Sequence, residues 1–364
     1  MQNDADNPTS PQHGPKPINL ALQGGGSHGA LTWGVLDRIL EDDRLAIAEI
    51  SGTSAGAMNA VVLADGHERG GRDAARKALA AFWKAVSDAA RFSPVQRSPW
   101  DRLFGRYSLD YSPGYLFMEA LSRVWSPYEL NPLDINPLRD LLEAQVDFGL
   151  VNTCQSIAVH VAATNVRNGQ ARIFSRGAVT ADAVMASACL PQLYPAVEID
   201  GEHYWDGGFS GNPALQPLVE SPATPDILIV QINPIVRHAV PRSAREIINR
   251  VNEISFNGAL IKELRAINLM QRLVDAKGLD LGAAGRTYLH LIHVDAEVQD
   301  LAASSKMNAE WSYLELLFER GRRWADMWLE TNFEQIGVGS TLDLDELFSD
   351  PVRPDGAGRS HTEP

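Results

Sequence analysis

A serine occupies the centre of residues 52–56, Gly-Thr-Ser-Ala-Gly, where a short apolar segment passes into a run of small and apolar residues. The G-x-S-x-G spacing is typical of a turn from a strand into a helix, because only very small residues fit on either side of the serine. Such a turn places the hydroxyl at the end of a strand and beside the positive end of a helix dipole. We therefore predict that Ser54 is a nucleophile and that Gly52 and Gly56 support its turn.

A second segment that can do chemistry is the glycine-rich run at residues 24–29, Gly-Gly-Gly-Ser-His-Gly. Glycines that follow a strand let backbone N–H groups converge on an anion, either a phosphate or the oxyanion of an acyl-transfer intermediate. We predict oxyanion donors at Gly24, Gly25, Gly26 and Ala55, and Gly29 supports the loop.

The same run also fits the G-x-G-x-x-G pattern of dinucleotide-binding proteins. Those proteins need an acidic residue at the end of the second strand, about twenty residues further on, to hold the ribose. In this sequence that strand ends at Ile50-Ser51-Gly52, which offers a hydroxyl where a carboxylate is required. The dinucleotide interpretation is therefore disfavoured.

The glycine run and the serine turn lie at consecutive strand ends that are separated by one predicted helix. Adjacent strand ends on the same edge of a parallel sheet bring the backbone donors and the nucleophile into one crevice. In α/β-hydrolases the oxyanion loop and the nucleophile turn are much further apart, and a catalytic histidine follows the last strand. The compact spacing argues against that architecture.

A third element is Asp206, which precedes Gly207 and Gly208 at a predicted strand end. An Asp-Gly pair alone is a common turn. Together, however, the three segments resemble the patatin-like phospholipase family, whose motifs are G-G-G-x-[KR]-G, G-x-S-x-G and D-G-[AG], in that order. Residues 186–191, Ala-Ser-Ala-Cys-Leu-Pro, also resemble the helix end that precedes the aspartate in this family. The resemblance covers roughly residues 18–235, whereas about 236–349 is unrecognised.

The resemblance implies a lipid acyl hydrolase in which Asp206 takes the proton of Ser54 and an acyl-enzyme forms. It also implies a three-layer α/β fold with a mainly parallel central sheet flanked by helices, and neither a metal nor a cofactor. A carboxylate with an ordinary pKa near ~4 is a weak base for an alcohol, so the oxyanion donors must contribute, at roughly 3 kcal/mol each. Such a base predicts activity down to about pH 5.

His28 stands where the family has Arg or Lys, and it is the competing base. An α/β-hydrolase-like esterase with a histidine base and a non-catalytic acyl-binding or regulatory module are the alternatives. If Asp206 is the base and His28 only has to fit into the glycine run, His28→Arg should leave a working enzyme. His290 and His293 point to opposite faces of one strand, so they cannot jointly bind a metal.

The composition argues against some classes of binding partner. The 364 residues carry 32 Lys and Arg against 46 Asp and Glu, a formal charge of −14, which argues against binding to nucleic acid or to anionic membranes. Cys154 and Cys189 are too few for a disulfide scaffold. The sequence has no signal peptide and no transmembrane segment, so we expect a cytoplasmic location and leave signal-independent secretion open.

The apolar periodicity predicts one α/β domain over residues 17–349 with helical additions, between disordered tails at 1–16 and 350–364. Strands are expected at 18–22, 47–51, 227–232 and 287–294, and long helices at about 242–275 and 306–331.

Residues 100–128 are rich in aromatic side chains, namely Trp100, Phe104, Tyr107, Tyr111, Tyr115, Phe117, Trp125 and Tyr128. The preferred interpretation is that these rings cover the core. The alternative is an acyl-binding lid or a patch that contacts a membrane interface transiently while the enzyme acts on a lipid or other acyl-ester substrate.

Overall fold

The computed structural model describes residues 14–237, 239–278, 286–293, 297 and 303–348. The predicted disordered tails, 1–16 and 350–364, lie outside the described residues except for 14–16, and His238 lies outside them as well. Lys16 already belongs to the first strand, so the fold begins two residues before the predicted start of the apolar segment at Ile18.

A central eight-stranded sheet organises the fold. Its strands are β1 (Lys16–Leu22), β2 (Leu45–Gly52), β3 (Ala158–Asn165), β4 (Ala171–Phe174), β5 (Val197–Ile199), β6 (Glu202–Asp206), β7 (Asp226–Val230) and β8 (Tyr288–Ile292). The spatial order is β5-β6-β3-β2-β1-β7-β8, and β4 also pairs with β3. Neighbours from β3 through β2, β1 and β7 to β8 are parallel, whereas the pairs with β4, β5 and β6 are antiparallel. The predicted mainly parallel α/β sheet is confirmed.

Helices flank the sheet on both faces. They are α1 (Gly29–Glu41), α2 (Ala55–Ala90), α3 (Pro99–Leu103), α4 (Pro113–Leu121), α5 (Pro127–Leu130), α6 (Pro137–Gln145), α7 (Phe148–Thr153), α8 (Ala181–Ser187), α9 (Gln216–Val219), α10 (Ala244–Lys277), α11 (Trp311–Asn332) and α12 (Leu344–Phe348). Short 3₁₀ helices occur at Gly26–His28, Gly207–Phe209, Ala303–Met307 and Phe333–Gln335.

The two faces of the sheet bury separate apolar clusters. Helices α1, α2 and α11 pack on the larger cluster, which includes Leu20, Leu31 and Trp324. Helices α9, α10 and α12 pack on the smaller one around Ile227 and Leu260. The chain therefore forms three layers, as the sequence predicts, and the two long predicted helices correspond to α10 and α11.

The carboxyl ends of the parallel strands position the candidate site. β1 leads into the glycine run, β2 leads into the serine turn, and both ends lie on the same edge because the two strands are parallel. β6 runs antiparallel to β3, and its last residue, Asp206, pairs with Ala163. On β3, Ala163 lies two residues after Val161, which pairs with Gly52 at the end of β2. Asp206 therefore reaches the same edge of the sheet.

Candidate active site

The serine turn is tight and strained. Ser54 has φ 54° and ψ −120°, a left-handed conformation that is unusual for a residue with a side chain, and α2 begins at the next residue. A Cβ placed on Gly56 would lie 2.2 Å from the carbonyl oxygen of Leu22, so no side chain fits between the turn and β1. The turn therefore needs glycine at this position, as the motif predicts.

Two side-chain hydrogen bonds hold the turn in place. The Ser54 N–H donates to Ser187 Oγ at 2.8 Å, and Thr53 Oγ1 donates to the Gly211 carbonyl at 2.7 Å. Close after Ser187, the Cys189 carbonyl accepts the N–H of Asp206 at 2.8 Å. The end of α8 thus connects the serine turn to the aspartate turn, a support that the sequence motifs alone do not reveal.

Asp206 is buried, with 1% of its surface exposed. Its carboxylate accepts the Gly208 N–H at 2.7 Å. Burial raises the pKa of Asp206 to about 7, although the hydrogen bond from Gly208, the nearby side chain of Ser54 and the positive charge of Lys306 act in the opposite direction. The expectation of an ordinary pKa is therefore corrected, because a buried carboxylate loses its hydration.

The glycine run packs directly against the nucleophile. A Cβ on Gly24 would lie 2.8 Å from the Cβ of Ser54. The Gly24 N–H donates to Asn212 Oδ1 at 2.7 Å and is already engaged, which corrects the prediction that it binds an oxyanion. Within the described part of the chain, nothing accepts a hydrogen bond from the N–H of Gly25, Gly26 or Ala55. These three donors remain available to a ligand.

The remaining motif glycines have close neighbours. A Cβ on Gly29 would lie 2.7 Å from the Ala55 Cβ, and one on Gly52 would lie 2.6 Å from the Gly56 carbonyl oxygen. A Cβ on Gly207 would lie 2.1 Å from the Ala162 carbonyl oxygen, and one on Gly208 would lie 2.1 Å from the Phe256 ring. Phe256 belongs to α10, so this helix covers the aspartate turn.

Buried amides fix the glycine run to distant parts of the chain. Gln23 Oε1 accepts the N–H groups of Ile232 and Asn233 at 2.8 and 2.7 Å, and Gln23 Nε2 donates to Asn257 Oδ1 at 2.8 Å. Asn233 Nδ2 donates to the Gly24 carbonyl at 2.7 Å. The loop is therefore held by residues that follow β7 and by α10. Sequence reasoning missed these amides, because no motif marks them.

His28 does not bond to Ser54. Its Nε2 lies 2.9 Å from Ser305 Oγ, and among the described residues its buried Nδ1 has no hydrogen-bond partner. Burial lowers the pKa of His28 well below 6.5, and the charges of Lys306 and Arg237 lower it further. His28 is therefore neutral at physiological pH. An arginine at this position would bring another cation into a buried, already positive site, so we expect His28→Arg to be less well tolerated than the sequence predicts.

The aromatic segment at 100–128 lies largely on the surface. Six of its eight rings are between 46% and 69% exposed, namely Trp100, Phe104, Tyr111, Phe117, Trp125 and Tyr128. Tyr107, in contrast, stacks on Tyr313 at 4.7 Å between ring centroids. The preferred interpretation, that the rings cover the core, is therefore wrong for these six. Within the described ranges, no helix combines the length and the apolar character needed to cross a bilayer.

Comparison with known proteins agrees with these motifs. The family model described as patatin-like phospholipase matches residues 20–219, which is more than half of the chain. None of the curated proteins matches.

Two solved structures show similarity at low identity. VipD from Legionella pneumophila is 16% identical with a TM-score of 0.37, and the match covers 84% of this chain and 67% of VipD. ExoU from the type III secretion system of Pseudomonas aeruginosa, solved in complex with SpcU, is 15% identical with a TM-score of 0.33. That match covers 84% of this chain and 53% of ExoU, so the chain spans about half the length of ExoU.

Proposed function

This chain belongs to the patatin-like phospholipase family, whose activity is lipid acyl hydrolysis, and we propose that it cleaves carboxylic esters of lipids through Ser54 and Asp206. One observation carries the proposal. A serine in a strained turn lies near a buried carboxylate, and the glycine run that packs on this serine has unpaired N–H groups at Gly25 and Gly26, with a third at Ala55. These are a nucleophile, a base and oxyanion donors in one place.

The reaction has two halves. In the first, Asp206 takes the proton of Ser54 as its oxygen attacks the ester carbonyl carbon, and the carbonyl oxygen becomes an oxyanion facing the three N–H groups. Collapse of this intermediate breaks the ester bond, and Asp206 returns the proton to the departing alcohol. In the second half, water gives a proton to Asp206 as its oxygen attacks the carbonyl carbon of the acyl-enzyme. Collapse of this second intermediate breaks the bond to Ser54 and releases the fatty acid, and Asp206 returns the proton to the Ser54 oxygen.

The environment of Asp206 supports its role as a base. With a pKa near 7, the carboxylate is a stronger base than an exposed aspartate, yet it is still largely ionised at slightly alkaline pH. Each backbone donor to the oxyanion contributes roughly 3 kcal/mol. The start of α2 at Ala55 adds the favourable field of a helix N-terminus.

Neither alternative has comparable support. A histidine base would need to reach Ser54, whereas the Nε2 of His28 faces Ser305. A non-catalytic acyl-binding module would not need a strained serine near a buried carboxylate.

We also propose that the exposed rings of residues 100–128 contact the lipid surface transiently. The formal charge of −14 disfavours attraction to anionic lipid, so this contact relies on burial of apolar surface. Replacing Trp100, Phe104 and Phe117 together by Ser should reduce hydrolysis of vesicle lipid by about tenfold or more. The same variant should hydrolyse a water-soluble ester at the wild-type rate, as should a Val338→Ser control at another exposed site. Equal losses on both substrates would contradict a surface-binding role.

Release of fatty acid tests the proposed activity. Wild-type protein should release fatty acid from zwitterionic, anionic and uncharged lipid esters, because neither the net charge nor His28 favours an anionic headgroup. Ser54→Ala should abolish release, whereas Ser175→Ala, which removes another serine hydroxyl, should not. Release that survives Ser54→Ala, or none from any ester by the folded wild type, would overturn the proposal.

A further inference from the structure

Lys306 lies against the glycine run, although it is far outside the residues 20–219 that match the family. It belongs to the 3₁₀ helix Ala303–Met307. A Cβ on Gly26 would lie 2.5 Å from the carbonyl oxygen of Lys306 and 3.5 Å from its Cβ. The backbone of this segment therefore covers the loop that presents two of the candidate oxyanion donors.

The ammonium group of Lys306 has unused donors. Its Nζ donates to Asn233 Oδ1 at 2.6 Å. Among the described residues, it makes no second hydrogen bond and no ion pair. An ammonium has three N–H donors, and a part-buried cation without a carboxylate partner is unfavourable unless other groups stabilise it. Lys306 is thus a cation with free donors beside the reacting groups.

Asn233 connects this cation to the nucleophile. Its Oδ1 accepts from Lys306, and its Nδ2 donates to the Gly24 carbonyl at 2.7 Å. Gly24 in turn lies against Ser54. Two hydrogen bonds therefore separate the ammonium from the loop that packs on the serine.

His28 helps to hold the segment that carries Lys306. Its Nε2 lies 2.9 Å from Ser305 Oγ, and the hydroxyl of Tyr313 donates to the same Ser305 oxygen at 2.9 Å. Residue 28, where the family motif has a basic residue, is neutral in this chain and contacts Ser305, the residue before Lys306.

We propose that Lys306 is a positioning residue of this active site: through Asn233 it fixes the loop at Gly24, and its positive charge stabilises the negative charge that moves from Asp206 to the ester oxygen. This inference rests on the proposed function. It assigns a part in catalysis to the unrecognised residues 236–349.

Among the described charged groups, Lys306 is the cation that lowers the pKa of Asp206. Groups near the two residues are Glu253 on α10, Arg237 after β7, Cys189 after α8, His28 in the glycine run and Tyr313 on α11. Glu253 forms ion pairs with Arg237 and Arg250, so its negative charge is compensated. His28 is neutral, and burial raises the pKa of Cys189 to about 12, so the thiol is neutral as well.

Electrostatic coupling acts in both directions between Lys306 and Asp206. The pKa of Asp206 is raised mainly by burial, and the charge of Lys306 lowers it. The pKa of Lys306 is lowered mainly by burial, while Glu253 and Asp206 raise it. Loss of the lysine charge should therefore make Asp206 harder to ionise, and more alkaline conditions would be needed for activity.

The test compares Lys306→Gln, Lys306→Arg and wild type on an uncharged water-soluble ester and on a zwitterionic phospholipid. Lys306→Gln keeps a donor for Asn233 but loses the charge. We expect kcat to fall about tenfold or more on both substrates with little change in KM. The acidic limb of the rate profile should move up by about one pH unit, and Lys306→Arg should restore most of both properties. Lys262→Met, at an exposed lysine of α10, is the matched control.

Other results would overturn the inference. An unchanged acidic limb in Lys306→Gln would show that the charge does not act on Asp206. A loss confined to the phospholipid would assign Lys306 to its headgroup instead. If Lys306→Gln does not fold, Lys306→Met is measured in its place, with the same criteria. Wild-type protein that releases no fatty acid would refute the proposed function itself, which separates the two failures.

Discussion

Ser54 and Ser175 each lie near a possible base, in two different regions of the molecule. Ser54 lies near the buried Asp206 and lowers its pKa. Ser175 Oγ lies 2.8 Å from His160 Nδ1, and His160 Nε2 lies 3.0 Å from Glu49 Oε2. By residue type alone, the second cluster is closer to the Ser-His-acid triad of many hydrolases.

The surroundings of the two serines differ more than their bases. Ser54 has a left-handed backbone at the start of a helix and unpaired N–H groups around it. Near Ser175 two N–H groups are engaged, because Gly177 donates to Asn152 Oδ1 and Ala178 donates to the Ser175 carbonyl. We infer from this comparison that the backbone geometry around a serine and the free donors beside it indicate a nucleophile better than a nearby histidine does.

The second cluster has a structural explanation. Glu49 lies on β2 and His160 on β3, two strands that pair in parallel. Glu49 also accepts from Ser221 Oγ at 2.6 Å, so the cluster connects the sheet to the loop that precedes β7. We infer that it stabilises the fold.

The largest expected effect comes from neutralising each acid. Asp206→Asn removes the proposed base and should lower the rate of ester hydrolysis by at least about 10³-fold, whereas Glu49→Gln should stay within about threefold of wild type. Rates on a water-soluble ester measure both. Asp206→Asn combined with Ser54→Ala should be hardly worse than either alone, because the two residues act as one unit. A larger loss in Glu49→Gln than in Asp206→Asn would reverse the comparison.

The next largest expected effect is on the free energy of unfolding, and its dependence on pH has opposite signs for Asp206 and Glu49. Burial raises the pKa of Asp206 to about 7, so between about pH 4 and pH 7 the folded protein binds a proton that the unfolded chain has released. The contribution of Asp206 to the free energy of unfolding therefore falls as the pH rises through this range. Asp206→Asn should melt at least about 2 °C above wild type at pH 8, and the difference should shrink by pH 5.

Glu49 should behave in the opposite way. Burial alone would raise the pKa of Glu49, but hydrogen bonds from His160 and Ser221 hold it below its usual value. Its contribution to stability is therefore present above its unfolded pKa near 4.5 and is lost as the pH falls through the lowered folded pKa. Glu49→Gln should melt below wild type at pH 8, with the gap closing at acidic pH. Two differences of the same sign in thermal melts would contradict this contrast.

A smaller effect than that of Asp206→Asn is expected for His28→Gln. Glutamine can keep a hydrogen bond to Ser305 without adding charge, and it cannot act as a base. We expect the rate to stay within about tenfold of wild type, since His28 only anchors the segment that carries Lys306. A loss as large as that of Asp206→Asn in a folded His28→Gln protein would restore histidine as the base.

The pH profile alone cannot make this distinction. The sequence predicts a carboxylate base that works down to about pH 5, because an exposed aspartate titrates near ~4. Burial moves Asp206 to about 7, which is close to the ordinary pKa of histidine. A profile that falls below about pH 7 therefore fits Asp206 or a histidine of ordinary pKa, whereas burial holds the pKa of His28 itself well below 6.5, so the substitutions must decide.

The three motifs can be recognised in the sequence because each contains small residues at a fixed spacing. The sequence also predicts the mainly parallel sheet, since apolar strands alternate with amphipathic helices. It cannot predict which side chains support the site. Ser187, Asn212, Asn233 and Lys306 come from separate parts of the chain, and the register of the sheet and the path of the loops bring them to Ser54.

The sequence also does not show which side chains are buried and which residues they contact. His160 has no evident partner in the sequence, yet the pairing of β2 with β3 brings it to Glu49. The six exposed rings of residues 100–128 carry the same apolar character as core residues, so only the structure separates the two roles.

The most direct test is to identify the serine that reacts with a fluorophosphonate. The reagent forms a covalent bond with an activated serine oxygen, and peptide mapping by mass spectrometry locates it. We predict a single modified residue, Ser54, with labelling unchanged in Ser175→Ala, strongly reduced in Asp206→Asn and absent in Ser54→Ala. Modification of Ser175, or labelling that persists in folded Ser54→Ala, would contradict the assignment of Ser54 and Asp206 as the reacting pair.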